Sequence, residues 1–148
     1  RKSVLATGET VGYEFKNKAL AYCAIHPGGK SPRIQLANTI LTHLGRALFE
    51  YVATKKILQN KINGGLPAVR IVHSELEMSV DYERLAQQLE ALKFDTPLPV
   101  RFDRGNYIPE KETAIRQRIL RSAFFGVLGT ICTESGVPKA ESIAKKFL

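Results

Sequence analysis

Asn38-Thr39-Ile40-Leu41-Thr42-His43-Leu44-Gly45-Arg46-Ala47-Leu48 carries the decisive pattern of this 148-residue chain. Ile40, Leu44, Leu48 and Val52 recur every fourth residue, with Leu41 and Ala47 widening the stripe, which is the spacing of a helix with one apolar face. Gly45 sits inside that helix, where glycine costs ~1 kcal/mol relative to alanine. A glycine at that position implies that another backbone approaches closely. Ser31-Pro32 supplies an N-cap residue followed by proline in the first turn, so the helix runs from Pro32 to about Gln59. Asn63-Gly64-Gly65 then breaks it.

The flanks extend the helical reading. Residues 1–14 hold Gly8 and Gly12 without periodicity and read as an extended arm. A helix follows from Phe15 or Lys16 to Ile25, stopped by His26-Pro27-Gly28-Gly29. Ala68 to Met78 reads as a short helix, and Asp81 caps another that buries Leu85, Leu89 and Leu92. Pro97, Pro99 and Pro109 make 95–110 a loop. Glu110 to Thr133 is helical through Ile115, Ile119, Ala123 and Val127, with Ala123, Gly126 and Thr130 forming a tight packing face. Gly136 ends it, and Pro138 opens a last helix carrying Ala140, Ile143, Ala144 and Phe147. No pair of alternating strands occurs, so the expected class is all-α.

A hydrophobic fraction of 44% and a charged fraction of 24% are ordinary for a single globular domain. The net charge of +8 is not, and favours a polyanionic partner: nucleic acid first, an anionic membrane surface second. No run reaches the ~20 apolar residues of a membrane span. Cys23 and Cys132 lie among apolar residues without metal-ligand spacing. Buried, reduced thiols are expected, with a single disulfide between them as the alternative. His26, His43 and His73 are scattered and have no second ligand at metal spacing. Gly28-Gly29-Lys30-Ser31 lacks the spacing of a phosphate loop.

The Asn38–Leu48 stretch resembles the signature helix of the ribonuclease III family, which reads roughly Asn-Glu-Arg-Leu-Glu-Phe-Leu-Gly-Asp. Leu20-Ala21-Tyr22-Cys23-Ala24-Ile25-His26-Pro27 is similar to the family's Leu-x-x-Ala-Leu-Thr-His-x-Ser, and precedes the helix at a family-like distance. Gly129-Thr130-Ile131-Cys132-Thr133-Glu134-Ser135-Gly136 resembles its Gly-Ala-Ile-Tyr-Leu-Asp-Ser-Gly. The resemblance spans about residues 15–148 and implies an all-α, ribonuclease III-like helical domain, with no double-stranded-RNA-binding domain appended.

The family holds catalytic magnesium with four acids. The corresponding positions here are Thr42, Arg46, Ser122 and Phe125. No acid lies anywhere between Phe15 and Phe49 or between Thr113 and Thr133, so no shift of alignment restores one. Magnesium needs hard oxygen ligands, and a guanidinium in its place repels the cation and attracts phosphate or carboxylate. The expectation is a non-enzyme with no catalytic residues, no metal and no cofactor.

The resemblance is strongest to degenerate ribonuclease III domains of mitochondrial large ribosomal subunits, of the short fungal type. It implies a structural protein of the mitochondrial matrix whose partners are ribosomal RNA, other ribosomal proteins, and a second ribonuclease III-like protein or a second copy. Family domains pair through the signature helix, which points to Leu41, Leu44, Gly45 and Leu48 as an interface. Phosphate contacts would come from Lys16, Lys18, Lys30, Arg33, Lys55, Lys56, Lys61, Arg101, Arg104, Arg116, Arg118 and Lys139. The alternative is a pseudo-nuclease subunit that dimerises with an active ribonuclease III-type enzyme in another RNA-processing complex. An active hydrolase with unconventional ligands is the third reading.

Overall fold

A computed structural model describes residues 2–26, 31–64, 81–92 and 109–148. The helices are α1 (Lys2–Val11), α2 (Lys18–Ile25), α3 (Pro32–Gly64), α4 (Tyr82–Ala91), α5 (Pro109–Ser135) and α6 (Val137–Ala144), followed by a 3-10 turn at Lys145–Phe147. Among the described residues there is no strand. The expected Ala68–Met78 helix and nearly all of the 95–110 loop lie outside the described residues.

The centre of the molecule is α5. Every residue from Ala123 to Ile131 is buried, the mark of a helix enclosed on all sides. α3 makes the most extensive contact with it, α2, α4 and α6 pack around it, and α1 rests on α2. Three glycines set how closely these helices approach. A Cβ at Gly45 would overlap the carbonyl oxygen of Phe125 and lie 2.9 Å from Gly129 N. One at Gly129 would overlap the Leu41 carbonyl, and one at Gly126 would stand 2.6 Å from Ala24 O. The close approach anticipated from Gly45 is therefore the α3–α5 crossing. Around it, Phe49, Phe124 and Phe125 form tilted and edge-on ring contacts.

Asn38 is the one buried amide of this crossing region. Its Nδ2 donates to Cys23 O at 2.8 Å, which also accepts from His26 N at 3.4 Å, and to Ala24 O at 2.9 Å, so it ties α3 to the C-terminal end of α2. Asn38→Leu leaves both carbonyls without that donor, and should cost about 2–3 kcal/mol in urea unfolding. An unchanged midpoint would assign no weight to the staple.

Several expectations need correction. Residues 1–14 are not an extended arm: Lys2–Val11 is helical. Val4, Thr7 and Val11 fall on one buried face, while Gly8 admits the Tyr13 carbonyl and the Phe15 ring. Gly12 closes the helix at φ 77°, donating its N–H to Gly8 O at 2.8 Å. The short length and two glycines masked this periodicity. Secondly, α3 does not bury the Ile40–Leu44 edge. Its buried face is Leu41, Gly45, Leu48, Phe49, Val52 and Ala53, with Ile40, Leu44 and Ala47 exposed. Thirdly, Leu92 and Ile115 are exposed, because Leu92 stands past the end of α4 and α5 enters the core only at Leu120.

The caps agree with the sequence. Asp81 accepts from Arg84 N at 3.0 Å at the start of α4, and Ser31 Oγ from Arg33 N at 3.2 Å at the start of α3. The start of α2 is corrected from Phe15 or Lys16 to Lys18, because Asn17 caps the helix, accepting from Leu20 N at 3.1 Å.

Candidate functional site

Thr42, Arg46 and Glu50 stand four residues apart on one edge of α3, beside its buried face. The glycine crossing holds this edge against α5, which contributes Arg121, Ser122 and Phe125, while α4 begins at Tyr82 alongside them. Glu50 is the junction. Its Oε1 accepts from Arg46 Nε at 3.1 Å and from the Tyr82 hydroxyl at 2.8 Å. The guanidinium carbons of Arg46 and Arg121 lie 5.6 and 5.8 Å from the centre of the Tyr82 ring. Phe125 is buried behind them, its ring 6.3 Å from Tyr82 and 5.8 Å from Phe49. Thr42 Oγ1 is buried and makes no hydrogen bond among the described residues.

The electrostatics follow from these contacts. Burial raises the Tyr82 phenol above its ordinary value, and donation to Glu50 adds to this, so the ring stays neutral and keeps donating. The hydrogen bond to Glu50 is the main reason Arg46 holds its proton more tightly than a free guanidinium. Arg121 makes no ion pair among the described residues. Among the described residues the cluster thus carries two guanidiniums and one carboxylate.

That donor set does not fit magnesium. Thr42 and Ser122 offer neutral hydroxyls, Phe125 offers hydrocarbon, and the one carboxylate is engaged by Arg46 and Tyr82. Among the described residues no group of three or more His, Cys, Asp or Glu side chains could hold a metal ion. Hydrogen-bond donors and positive charge are what the arrangement presents.

Glu134, from the Gly129–Gly136 stretch, has a structural task that the sequence does not assign. Its Oε2 accepts from the Tyr13 hydroxyl at 2.9 Å and Lys16 N at 3.1 Å, and its Oε1 from Asn17 N at 2.8 Å. Tyr13 also lies 2.6 Å from Ser135 Oγ. Burial raises the Tyr13 phenol, with Glu134 reinforcing the shift and Ser135 opposing it. The end of α5 thereby fixes the turn that leads into α2.

The expected interface set divides. Leu41, Gly45 and Leu48 are corrected to core residues, because their face meets α5 within the same chain. Leu44, 39% exposed, remains on the surface. It belongs to a different stripe with Leu36, Ile40, Ala47, Tyr51 and Leu58, all exposed and within a sector of about 80° at 100° per residue. Two apolar stripes on opposite sides of one helix share the same period, which is why sequence alone merged them.

The basic candidates are spread over the surface. Lys16, Lys18, Arg33, Lys56, Arg116, Arg118 and Lys139 are exposed. Lys55 is half-buried and ion-paired with Glu141 at 2.9 Å, which raises the lysine and holds the glutamate below its ordinary range. Lys56 donates to Leu148 O at 3.3 Å. Lys30, Arg101 and Arg104 lie outside the described residues, as does the side chain of Lys61. No described helix is long and apolar enough to cross a membrane.

No protein-family model matches the chain, and no curated protein matches it. Among solved structures it is similar to the nuclease domain of ribonuclease III from Campylobacter jejuni, a domain with structural flexibility in the region involved in dimer formation. The TM-score is 0.69 at 21% identity, over 96% of this chain and 93% of that one. An all-helical core built on the α3–α5 crossing, matched over nearly the whole length of both chains, gives this protein a ribonuclease III-like fold.

Proposed function

We propose that this protein is a catalytically inactive ribonuclease III-like component of the mitochondrial large ribosomal subunit, located in the matrix, where it binds ribosomal RNA and a neighbouring protein. The observation that carries the reading is the set of side chains around Arg46: Glu50 binds its guanidinium, and Thr42, Arg46, Ser122 and Phe125, which the resemblance aligns with the family's acids, include no carboxylate. A net charge of +8 spread over exposed Lys and Arg suits phosphate contacts that are insensitive to base sequence.

The neighbouring protein would dock on the exposed stripe of α3. Leu36, Ile40, Leu44, Ala47 and Tyr51 form a contiguous apolar surface of the kind that marks a protein contact. A second ribonuclease III-like chain, or a second copy, is the proposed occupant. The same stripe favours the alternative reading, a pseudo-nuclease subunit paired with an active ribonuclease III-type enzyme in another RNA-processing complex.

Gradient sedimentation of native mitochondrial extract separates the two. Co-migration with large ribosomal subunits, retained after moderate salt washing, is the expected result. Migration in a smaller complex that cleaves duplex RNA would replace the first reading with the second.

A further inference from the structure

We propose that Arg46 and Arg121, gathered around the Tyr82 ring, form a docking point for RNA backbone phosphate, with Glu50 as a built-in competitor for Arg46. The inference rests on the RNA-binding reading above and assigns it a site.

The geometry supplies the donors. Arg46 binds Glu50 through Nε and also interacts with the Tyr82 hydroxyl, while its side chain stays 55% exposed, so the outer edge of the guanidinium is open to a ligand. Arg121 is half-buried, makes no ion pair among the described residues, and places its guanidinium over the same Tyr82 ring. Both guanidiniums are within 6 Å of the centre of one neutral ring, which holds their stems in place and lowers the ordering cost of a shared ligand. Phosphate is favoured over an acidic protein segment by the surroundings. α5 adds exposed Arg118 one turn before Arg121, and no acid occurs on α5 between Thr113 and Thr133. Such a stretch of like charge follows a continuous polyanion better than an isolated carboxylate.

Glu50 gives the site a distinctive signature. It neutralises part of the charge, so an arriving phosphate must compete with a carboxylate already on Arg46. Removing that carboxylate should therefore strengthen RNA binding, whereas a merely structural salt bridge would leave binding unchanged when broken.

The test measures binding of a short fluorescein-labelled RNA duplex to the full chain across a potassium chloride series, with circular dichroism confirming the fold of each variant. Arg46→Gln and Arg121→Gln should each lower the slope of log affinity against log salt by about one unit. Arg46→Lys should retain the slope and lose affinity, since charge survives and the planar fork does not. Glu50→Gln should bind several-fold more tightly than wild type. Because Arg46 is exposed and Glu50 half-exposed, and Gln at 50 can still accept from Tyr82, their variants should fold even if Arg121→Gln does not. Slopes equal to wild type in both glutamine variants, or unchanged affinity in Glu50→Gln, would overturn the site while leaving RNA binding elsewhere on the surface intact. Failure of the wild-type chain to bind duplex would overturn both the site and the RNA-binding reading.

Discussion

Gly45→Ala is expected to destabilise the protein by about 3 kcal/mol, one of the largest effects of any single methyl group added to this chain. Alanine is the better helix former by ~1 kcal/mol, so propensity alone predicts a gain. The added Cβ, however, would overlap the Phe125 carbonyl oxygen and press on Gly129 N. Both obstacles are backbone, and neither can rotate aside as a side chain could. The α3–α5 pair must separate instead, which loosens the contacts of Phe49 with Phe124 and Phe125. For a domain of this size such a loss corresponds to a melting point lower by roughly 6–12 °C. Thermal unfolding followed by circular dichroism measures it, with Ala47→Gly on the exposed side of the same helix as a comparison costing only about 1 kcal/mol. A melting point equal to or above wild type would mean that Gly45 does not face α5.

The same glycine explains how far the fold could be read in advance. Helix periodicity, the Ser31-Pro32 and Asp81 starts and the Gly136-Pro138 junction locate the elements, since each is a local property of the chain. Which side of α3 is inside is not local. Ile40 and Leu44 are as apolar as Leu48 and Val52, and a four-residue repeat runs obliquely from one face to the other. Gly45 lies between Leu41 and Leu48 on the buried side, so the position of the glycine, more than the count of apolar residues, marks the contact. α1 escaped notice because ten residues with Gly8 in the middle leave too few turns for a period to stand out.

The candidate site was legible in the same uneven way. Thr42, Arg46, Ser122 and Phe125 follow from register with glycines 45 and 136. Glu50 and Tyr82 do not, because one falls a turn beyond the matched motif and the other opens a helix that has no motif at all. Yet these two decide what Arg46 does, by binding it and by giving it a ring to lie against. A side chain's partners across helices are a tertiary fact, and only a long-range signal would have exposed them. Glu134 is similar: its contacts to Tyr13, Lys16 and Asn17 reach back more than a hundred residues.

Phe125→Glu, which puts an acid at a position that the resemblance aligns with a metal ligand of the family, should cost ~4 kcal/mol or more at neutral pH. Phe125 is 5% exposed and touches the rings of Phe49, Phe124 and Tyr82, so a carboxylate there loses water and, among these rings, gains no partner of opposite charge. Burial would raise its pKa above that of the unfolded chain. The sign then follows: the protonated form is the one the fold tolerates, so stability is greatest below the unfolded value of about 4.3 and falls as pH rises through the folded value. Phe125→Leu, which keeps an apolar side chain, should cost far less and show no such pH dependence. Thr42→Glu with Arg46→Asp places a carboxylate where the Thr42 hydroxyl is buried and sets acids at 42, 46 and 50 along one helix edge, so it should also destabilise the fold. On the proposed non-enzymatic reading, neither that double variant nor wild type cleaves duplex RNA with magnesium or manganese, because two restored acids face a phenyl ring where the opposite ligand would be needed. Chelator-sensitive cleavage that co-purifies with the wild-type chain would refute the reading. Stable folding of Phe125→Glu at neutral pH would show that the aromatic filling is replaceable, and that packing does not exclude an acid at this position.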